Sequence, residues 1–404
     1  MLRNRFEVLR PAGMPVLAAL LCLCACKEGG NGPEPGPRPG TEPARKEVLS
    51  AAGACVQTHA KAFQVEAVEL ESTTAALSAS PEAGKREAAR AAFHRAMDTW
   101  QVLEAMQIGP ALPRGQPGGA ELRDNIYSWP LVNRCAVEEQ IVARGYESTG
   151  FPTTLVTRRG LYALEYLLFY EGGDTACATS SPIVSGGTWA ALSAEDLQAR
   201  KRAYAAAAAK AVRERADQLV DAWEAGKGDF VKTLETAGSG NTVYPSVQMA
   251  LNSVSDALFY VDREMKDMKL ARPLGLRDCV AESCPELLES AFAGRSKANL
   301  RFNLMGIRRM AEGCGEGFSG KAFDDLLEDV GSGPLATTLR GRLAAAETAL
   351  GAVDEPDFAQ ALTQDKASVR AVYDALKGVT DILKTEFVTV LDLELPQAVE
   401  GDND

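Results

Sequence analysis

Histidine is nearly missing from this chain. Only His59 and His94 occur in 404 residues, and neither an HExxH motif nor a CxxC pair is present, so a zinc peptidase or a zinc ribbon lacks its usual ligands. No segment beyond the N-terminal leader is apolar over roughly 20 residues, the length a helix needs to span a bilayer. Alternating runs of β-branched residues stop after a few positions, which removes the strand signal and leaves the helical period. Cations are short as well, with 43 Lys and Arg against 55 Asp and Glu for a net charge of −12. Such an acidic body repels nucleic acid and anionic membrane surfaces, and it is compatible with metal cations or ligands that carry them.

What is present begins with an address. Arg3, Arg5 and Arg10 precede an apolar run from Met14 to Ala25, too short to span a bilayer but right for a secretory leader. It ends Leu23-Cys24-Ala25-Cys26, a lipobox pattern. Residues 1–25 therefore read as a lipoprotein signal peptide, with Cys26 the lipidated first residue of the mature chain. Lys27, not Asp, follows, which favours the outer membrane. Without residues 1–25 the net charge falls to −14. Residues 26–45 are rich in Gly and Pro, almost free of apolar side chains, and read as a disordered tether.

From Lys46 onward the reading is all-α. Helices are expected from Lys46 to Ser80 and from Ser80-Pro81 to Gly109-Pro110. A third region, Glu121 to Gly145, is interrupted at Trp129-Pro130, and a fourth runs from Pro152 to Tyr170. A loop follows from Glu171 to Thr188. The second half predicts helices over Leu192–Gly226, Tyr244–Leu270, Cys284–Gly313, Ala322–Val330, Leu335–Leu350 and Asp357–Val390. Helix count thus suggests two helical-bundle lobes, 46–180 and 188–392, with a short acidic tail at 393–404.

Nine cysteines are present. Cys22 and Cys24 leave with the leader and Cys26 carries the lipid, so six remain, an even number that in an exported chain suggests three disulfides. Six allow fifteen pairings. Proximity favours Cys135–Cys177 and Cys279–Cys284, leaving Cys55 with Cys314.

The segment Arg158–Tyr170 (RRGLYALEYLLFY) carries the main functional signal. Tyr162, Glu165, Tyr166 and Phe169 fall on neighbouring turns of one helix. Glu165 is a carboxylate in an apolar, aromatic run, and burying its charge costs several kcal/mol unless something meets it. That partner is a metal, an arginine such as Arg158 or Arg123, or a tyrosine hydroxyl; otherwise Glu165 sits on an exposed face. Glu104, Glu121, Asp124, Glu138, Glu139, Asp256, Asp262 and Glu264 are further acidic candidates, with Asp256, Tyr260 and Glu264 spaced four apart. His94, beside Phe93, reads as structural.

Several of these motifs together resemble one family. Gly160 to Phe169 (GLYALEYLLF) is similar to the signature helix of the imelysin-like lipoproteins. Upstream, Ile126-Tyr127-Ser128-Trp129-Pro130 with Val137-Glu138 resembles that family's Trp-Pro segment. Trp100 and Gly109-Pro110 match its second helix and turn, and Lys269-Leu270-Ala271-Arg272-Pro273-Leu274-Gly275 its Lys-Leu-x-x-Pro-Leu-Gly element. The resemblance spans about residues 50 to 390. It implies two helical bundles with a site in the cleft between them, and a link either to metallopeptidase activity or to iron acquisition. The family motif is GxHxxE. Here Tyr162 stands where that motif has histidine, so only Gly160 and Glu165 carry over. Neutral tyrosine is a poor zinc ligand, whereas tyrosinate binds ferric iron, so an iron role survives better than a zinc one.

The expectation is an anchored, non-enzymatic binding protein of the cell envelope linked to iron or haem acquisition, working with a metal-uptake transporter or receptor. Glu165, Tyr162, Tyr166 and Arg123 are its candidate ligand-binding residues; Gly160, Trp129 and Pro130 form its supporting motif. The alternatives are a metallopeptidase of the imelysin type and a docking lipoprotein with a degenerate site.

Overall fold

The first helix sets the frame of the molecule. In the computed structural model, which describes residues 41–131, 133–397 and 399, α1 runs from Thr41 to Ala79 over 39 residues. Leu49, Ala52, Val56, Ala60, Phe63, Ala67, Leu70, Thr74 and Leu77 recur at intervals of three and four and are all buried, which is the stripe a long amphipathic helix must bury. The expected leader, the expected lipidation site at Cys26 and most of the expected tether lie outside the described residues. The tether's last residues, expected to be disordered, are already helical. Pro43 suits a first turn, where its missing N–H costs nothing, and Arg45 is held by Gln248 and by the Leu391 carbonyl.

Every described element is helical, and no strand occurs among the described residues. After α1 come α2 (Ala83–Glu104), α3 (Leu122–Ile126), α4 (Arg134–Ala143), α5 (Gly160–Phe169), α6 (Pro182–Ser185) and α7 (Ala194–Trp223). Then follow α8 (Phe230–Glu235), α9 (Val247–Ser255) and a π-helical segment, Val261–Ala271. The remaining α-helices are α10 (Ser296–Glu312), α11 (Phe323–Asp329), α12 (Gly333–Gly351), α13 (Phe358–Gln364), α14 (Lys366–Ile382) and α15 (Val388–Leu391), the last two joined by a short π turn, Leu383–Phe387. Side chains place several starts: Asn133 accepts from the Ala136 amide, Ser193 from Asp196 and Ser246 from Met249, each satisfying an otherwise orphaned N–H.

One bundle groups α1, α2, α5 and α7; the other groups α10, α11, α12 and α14 with the π segment. The boundary does not follow the chain midpoint. α7, expected to open the second lobe, packs on α1, α3, α4 and α5 instead. α1 also reaches α8, α9, α10 and α11, so one continuous core joins both halves. α10 lies directly against α2, where Gly306 is essential: a Cβ there would sit 2.3 Å from the Val102 carbonyl oxygen.

Two expected boundaries fail in an instructive way. The helix predicted from Cys284 stops after a single 3-10 turn, Pro285–Leu287, and resumes only at Ser296; between them the chain turns, with Ser290 and Gly294 at φ of 53° and 61°. The helix predicted through Leu270 leaves α geometry after Ser255. The disulfides are Cys55–Cys314, Cys135–Cys177 and Cys279–Cys284, the pairs that proximity favours. The first ties α1 to the end of α10, and the second pins the 171–188 loop to α4.

Candidate functional site at the junction of the two bundles

Gly160 opens α5 at φ 82°, and a Cβ there would come within 2.6 Å of the Ile126 carbonyl oxygen. The glycine thus lets α5 start against the chain that leads into Tyr127, Trp129 and Pro130. One turn and a half later, Glu165 is fully buried. Its Oε1 accepts the backbone amides of Phe292 and Ala293 at 2.9 and 3.0 Å. Oε2 has no well-formed hydrogen bond. Burial pushes the Glu165 carboxyl up to about 7, opposed by the Ala293 amide, the Ser290 hydroxyl and the Phe292 amide, while Glu289 pushes it the same way as burial.

The partner of Glu165 is therefore neither of the arginines expected. Arg123 binds Glu104 through Nη2 at 2.5 Å and Nε at 3.1 Å, and also donates to the Trp129 carbonyl at 2.7 Å. Arg158 points towards Glu139, 3.9 Å away. Helix pattern hid the true partners, because the Phe292 and Ala293 amides are free only where the chain is not helical.

Around Glu165 the two bundles bring together a buried polar cluster. Glu289 accepts from Gln101 at 3.1 Å and from the Tyr127 hydroxyl at 2.9 Å, and pairs with Lys269 at 2.9 Å. Lys269 also donates to Gln101 and Asn303. Glu104, Glu165 and Glu289 are at most 1 % exposed. Burial also pushes the Glu104 carboxyl up, with Arg123 and Lys269 pulling against it. At the rim, burial pushes Glu264 up to about 7. Burial and the neighbouring carboxylates push the hydroxyls of Tyr127 and Tyr260 well above their ordinary range, so both are neutral. Glu104 Oε2, Glu165 Oε2 and the Tyr260 hydroxyl are buried without a hydrogen bond.

The other sequence candidates divide. Glu104, Tyr260 and Glu264 join the cluster; Asp256 faces solvent. Asp262 belongs to a separate buried group with Lys266 and Lys384. Tyr166, adjacent to Glu165, turns away from it: its hydroxyl donates to Glu138 at 3.0 Å. Glu138 is saturated by Arg134, Thr175 and the Ala176 amide besides. Tyr162 is half-buried, and burial and Glu165 push its hydroxyl up. His94 accepts from Arg295, which also holds Asp98, so it is structural. Glu289 is not among the candidates that the sequence pattern singles out. Its signal lay in Ser290 and Gly294, which interrupt the predicted helix.

A zinc peptidase centre does not fit these residues. Among the described residues, only Cys55/His59/Cys314 and Cys135/Glu139/Cys177 gather three ligand atoms closely enough for one ion, and in both the sulfurs are joined as disulfides. Tyr162 in neutral form adds no ligand of the kind zinc takes.

Fold and geometry together define an all-α protein of two joined bundles whose candidate site residues meet at their junction around a glycine-started helix. The chain belongs to the imelysin family, whose model matches residues 56–384. It is 24% identical over 331 residues, 80% of each chain, to iron-regulated protein A of Synechococcus elongatus. Two solved structures share its fold. An imelysin-like protein from Psychrobacter arcticum has a TM-score of 0.64 at 18% identity, covering 88% of this chain and 98% of that one. A protein described as an iron-regulated protein A precursor from Parabacteroides distasonis has a TM-score of 0.66 at 15% identity, covering 88% and 96%.

Proposed function

We propose that this chain is a lipid-anchored binding protein of the cell envelope that captures iron, free or within a larger ligand such as haem, at the buried cluster around Glu165. The carrying observation is an imbalance of charge. Glu104 and Glu289 pair with Arg123 and Lys269, whereas Glu165, just as deeply buried, has no ion-pair partner among the described residues and rests on two backbone amides, and Glu104 Oε2, Glu165 Oε2 and the Tyr260 hydroxyl have no hydrogen bond. Leaving such groups unpaired costs about 1–3 kcal/mol each, more when charged, and a bound cation offsets that cost. The relatives' iron-regulated names support the choice of iron. The anchor at Cys26 and an outer-membrane location complete the reading, with a metal-uptake transporter or receptor as partner.

Calorimetric titration of the chelator-stripped mature protein with ferrous iron, ferric iron and haem tests it. Micromolar binding to the wild type, lost or much reduced in Glu165→Gln, is the expected result. No binding of any of the three overturns it and leaves a docking lipoprotein, a reading that the tyrosine at position 162 favours. The peptidase alternative is disposed of by inertness towards unfolded substrates that zinc does not relieve.

A further inference from the structure

Lys269 is bound as a ligand is bound. The residue is 2 % exposed, and its ammonium meets Gln101 Oε1 at 2.9 Å, Asn303 Oδ1 at 2.6 Å and Glu289 Oε2 at 2.9 Å. An ammonium has three N–H donors; two of them meet Gln101 and Asn303 as hydrogen bonds, and Glu289 Oε2 completes the ring of three oxygens as an ion-pair contact. The rings of Trp129 and Tyr260 each lie 5.6 Å from the nitrogen, within range for cation–π attraction. These groups come from α2, α10, the 285–295 turns, the Trp-Pro segment and the residue before the π helix, so both bundles contribute.

The cage is oriented without the lysine. Asn303 Nδ2 donates to the Gln101 carbonyl at 2.8 Å and to Gln101 Oε1 at 2.7 Å. Gln101 Nε2 and the Tyr127 hydroxyl both donate to Glu289 Oε1. Each of the three oxygen-bearing side chains is thus fixed by a bond that does not involve Lys269. A preorganised ring of buried oxygens and aromatic faces is what a cation site requires.

We propose that this cage is a cation-binding site in its own right, selective for a primary ammonium, and that the free protein fills it with its own Lys269. Because Glu289 belongs both to the cage and to the iron cluster proposed above, Lys269 is also the resident cation with which an incoming ion competes. Only that second consequence rests on the iron reading.

Removing the lysine beyond its Cβ deletes the equivalent of propylammonium, which makes the test direct. Lys269→Ala is expected to melt several degrees below the wild type. Propylammonium chloride should restore most of that loss along a saturable curve, while tetramethylammonium, which has no N–H donor, restores none. Wild type should respond to neither. A non-saturable shift, or equal shifts from both salts, overturns the proposal. If Lys269→Ala does not fold, the ammonium protons of wild-type Lys269 are read by nitrogen-detected NMR. A slowly exchanging three-proton ammonium signal, missing in Lys269→Met or Lys269→Arg, is expected; fast exchange with water overturns the cage. Failure of iron binding in the wild type leaves these outcomes unchanged, so the two proposals fail separately.

Discussion

Glu165 and Tyr166 are consecutive on α5 and serve two different buried networks. The Glu165 carboxylate takes the Phe292 and Ala293 amides, while the Tyr166 hydroxyl donates to Glu138, which Arg134 also holds. The helix turns 100° between them, enough to aim one side chain at the second bundle and the other at the loop closed by Cys135–Cys177.

The acid of Glu165 should be visible in stability. Burial raises its carboxyl from an ordinary 4.5 to about 7. Between those values the folded protein holds a proton that the unfolded chain releases, so stability is highest below about 4.5 and falls as pH rises to about 7. The shift corresponds to roughly 3 kcal/mol. Glu165→Gln cannot titrate and lacks this fall. Urea unfolding of stripped wild type and Glu165→Gln at a series of pH values should therefore give curves that diverge by roughly that amount across the window. Parallel curves would show that Glu165 keeps an ordinary acidity.

Gly160 makes a separate, steric prediction. Gly160→Ala places a Cβ 2.6 Å from the Ile126 carbonyl oxygen at a φ of 82°, while Gly187→Ala, at φ 70°, meets nothing within 4 Å. Backbone strain alone costs about 1–3 kcal/mol for a non-glycine residue at positive φ. Gly187→Ala should lose about 1 kcal/mol, and Gly160→Ala distinctly more, because the clash is with backbone. Equal losses in urea midpoint would remove the close approach of α5 to the Trp-Pro segment as the reason for this glycine.

Half of the site was legible because it violates pattern. Glu165 interrupts an apolar run, whereas Lys269 stands out only as the first residue of a family motif and not as a site residue. Glu104, Glu264 and Tyr260 could be named as candidates but not assembled, because their meeting depends on how α2 crosses α10 and on the π segment, whose five-residue register shifts side chains off the predicted face. Glu289 was hidden for a different reason. Leu287, Leu288, Ala291 and Phe292 carry helical spacing, and the local pattern lost to a turn that offers its amides to Glu165. Periodicity reports which residues want burial; it does not report where a backbone gives up its own hydrogen bonds to a side chain from another helix.

The three disulfides should rank by the chain they close. Cys55–Cys314 spans 259 residues, Cys135–Cys177 spans 42 and Cys279–Cys284 spans 5. Loop-closure entropy gives about 6, 4 and 2 kcal/mol respectively. Paired Cys→Ala variants measured by thermal melting should follow that order, with loss of the bond between α1 and the end of α10 lowering the midpoint most. A larger effect from Cys279–Cys284 would mean that native-state strain, not the unfolded chain, dominates.

Tyr162 offers the sharpest chemical test of how the site has diverged from the GxHxxE pattern. It lies one turn before Glu165 on α5, and burial, with Glu165 adding to it, keeps its hydroxyl protonated at neutral pH. Histidine at this position supplies a neutral ring nitrogen near Glu165, giving two ligands where zinc ordinarily takes three from protein. Tyr162→His should therefore raise zinc affinity by about tenfold, or about 1.4 kcal/mol, without creating hydrolytic activity. Tyr162→Phe, which removes the hydroxyl and adds no ligand, should leave zinc affinity where it is. Calorimetry on the three proteins separates the cases. An unchanged affinity in Tyr162→His would mean that the Phe292 and Ala293 amides hold Glu165 too firmly for its carboxylate to turn towards a metal at position 162.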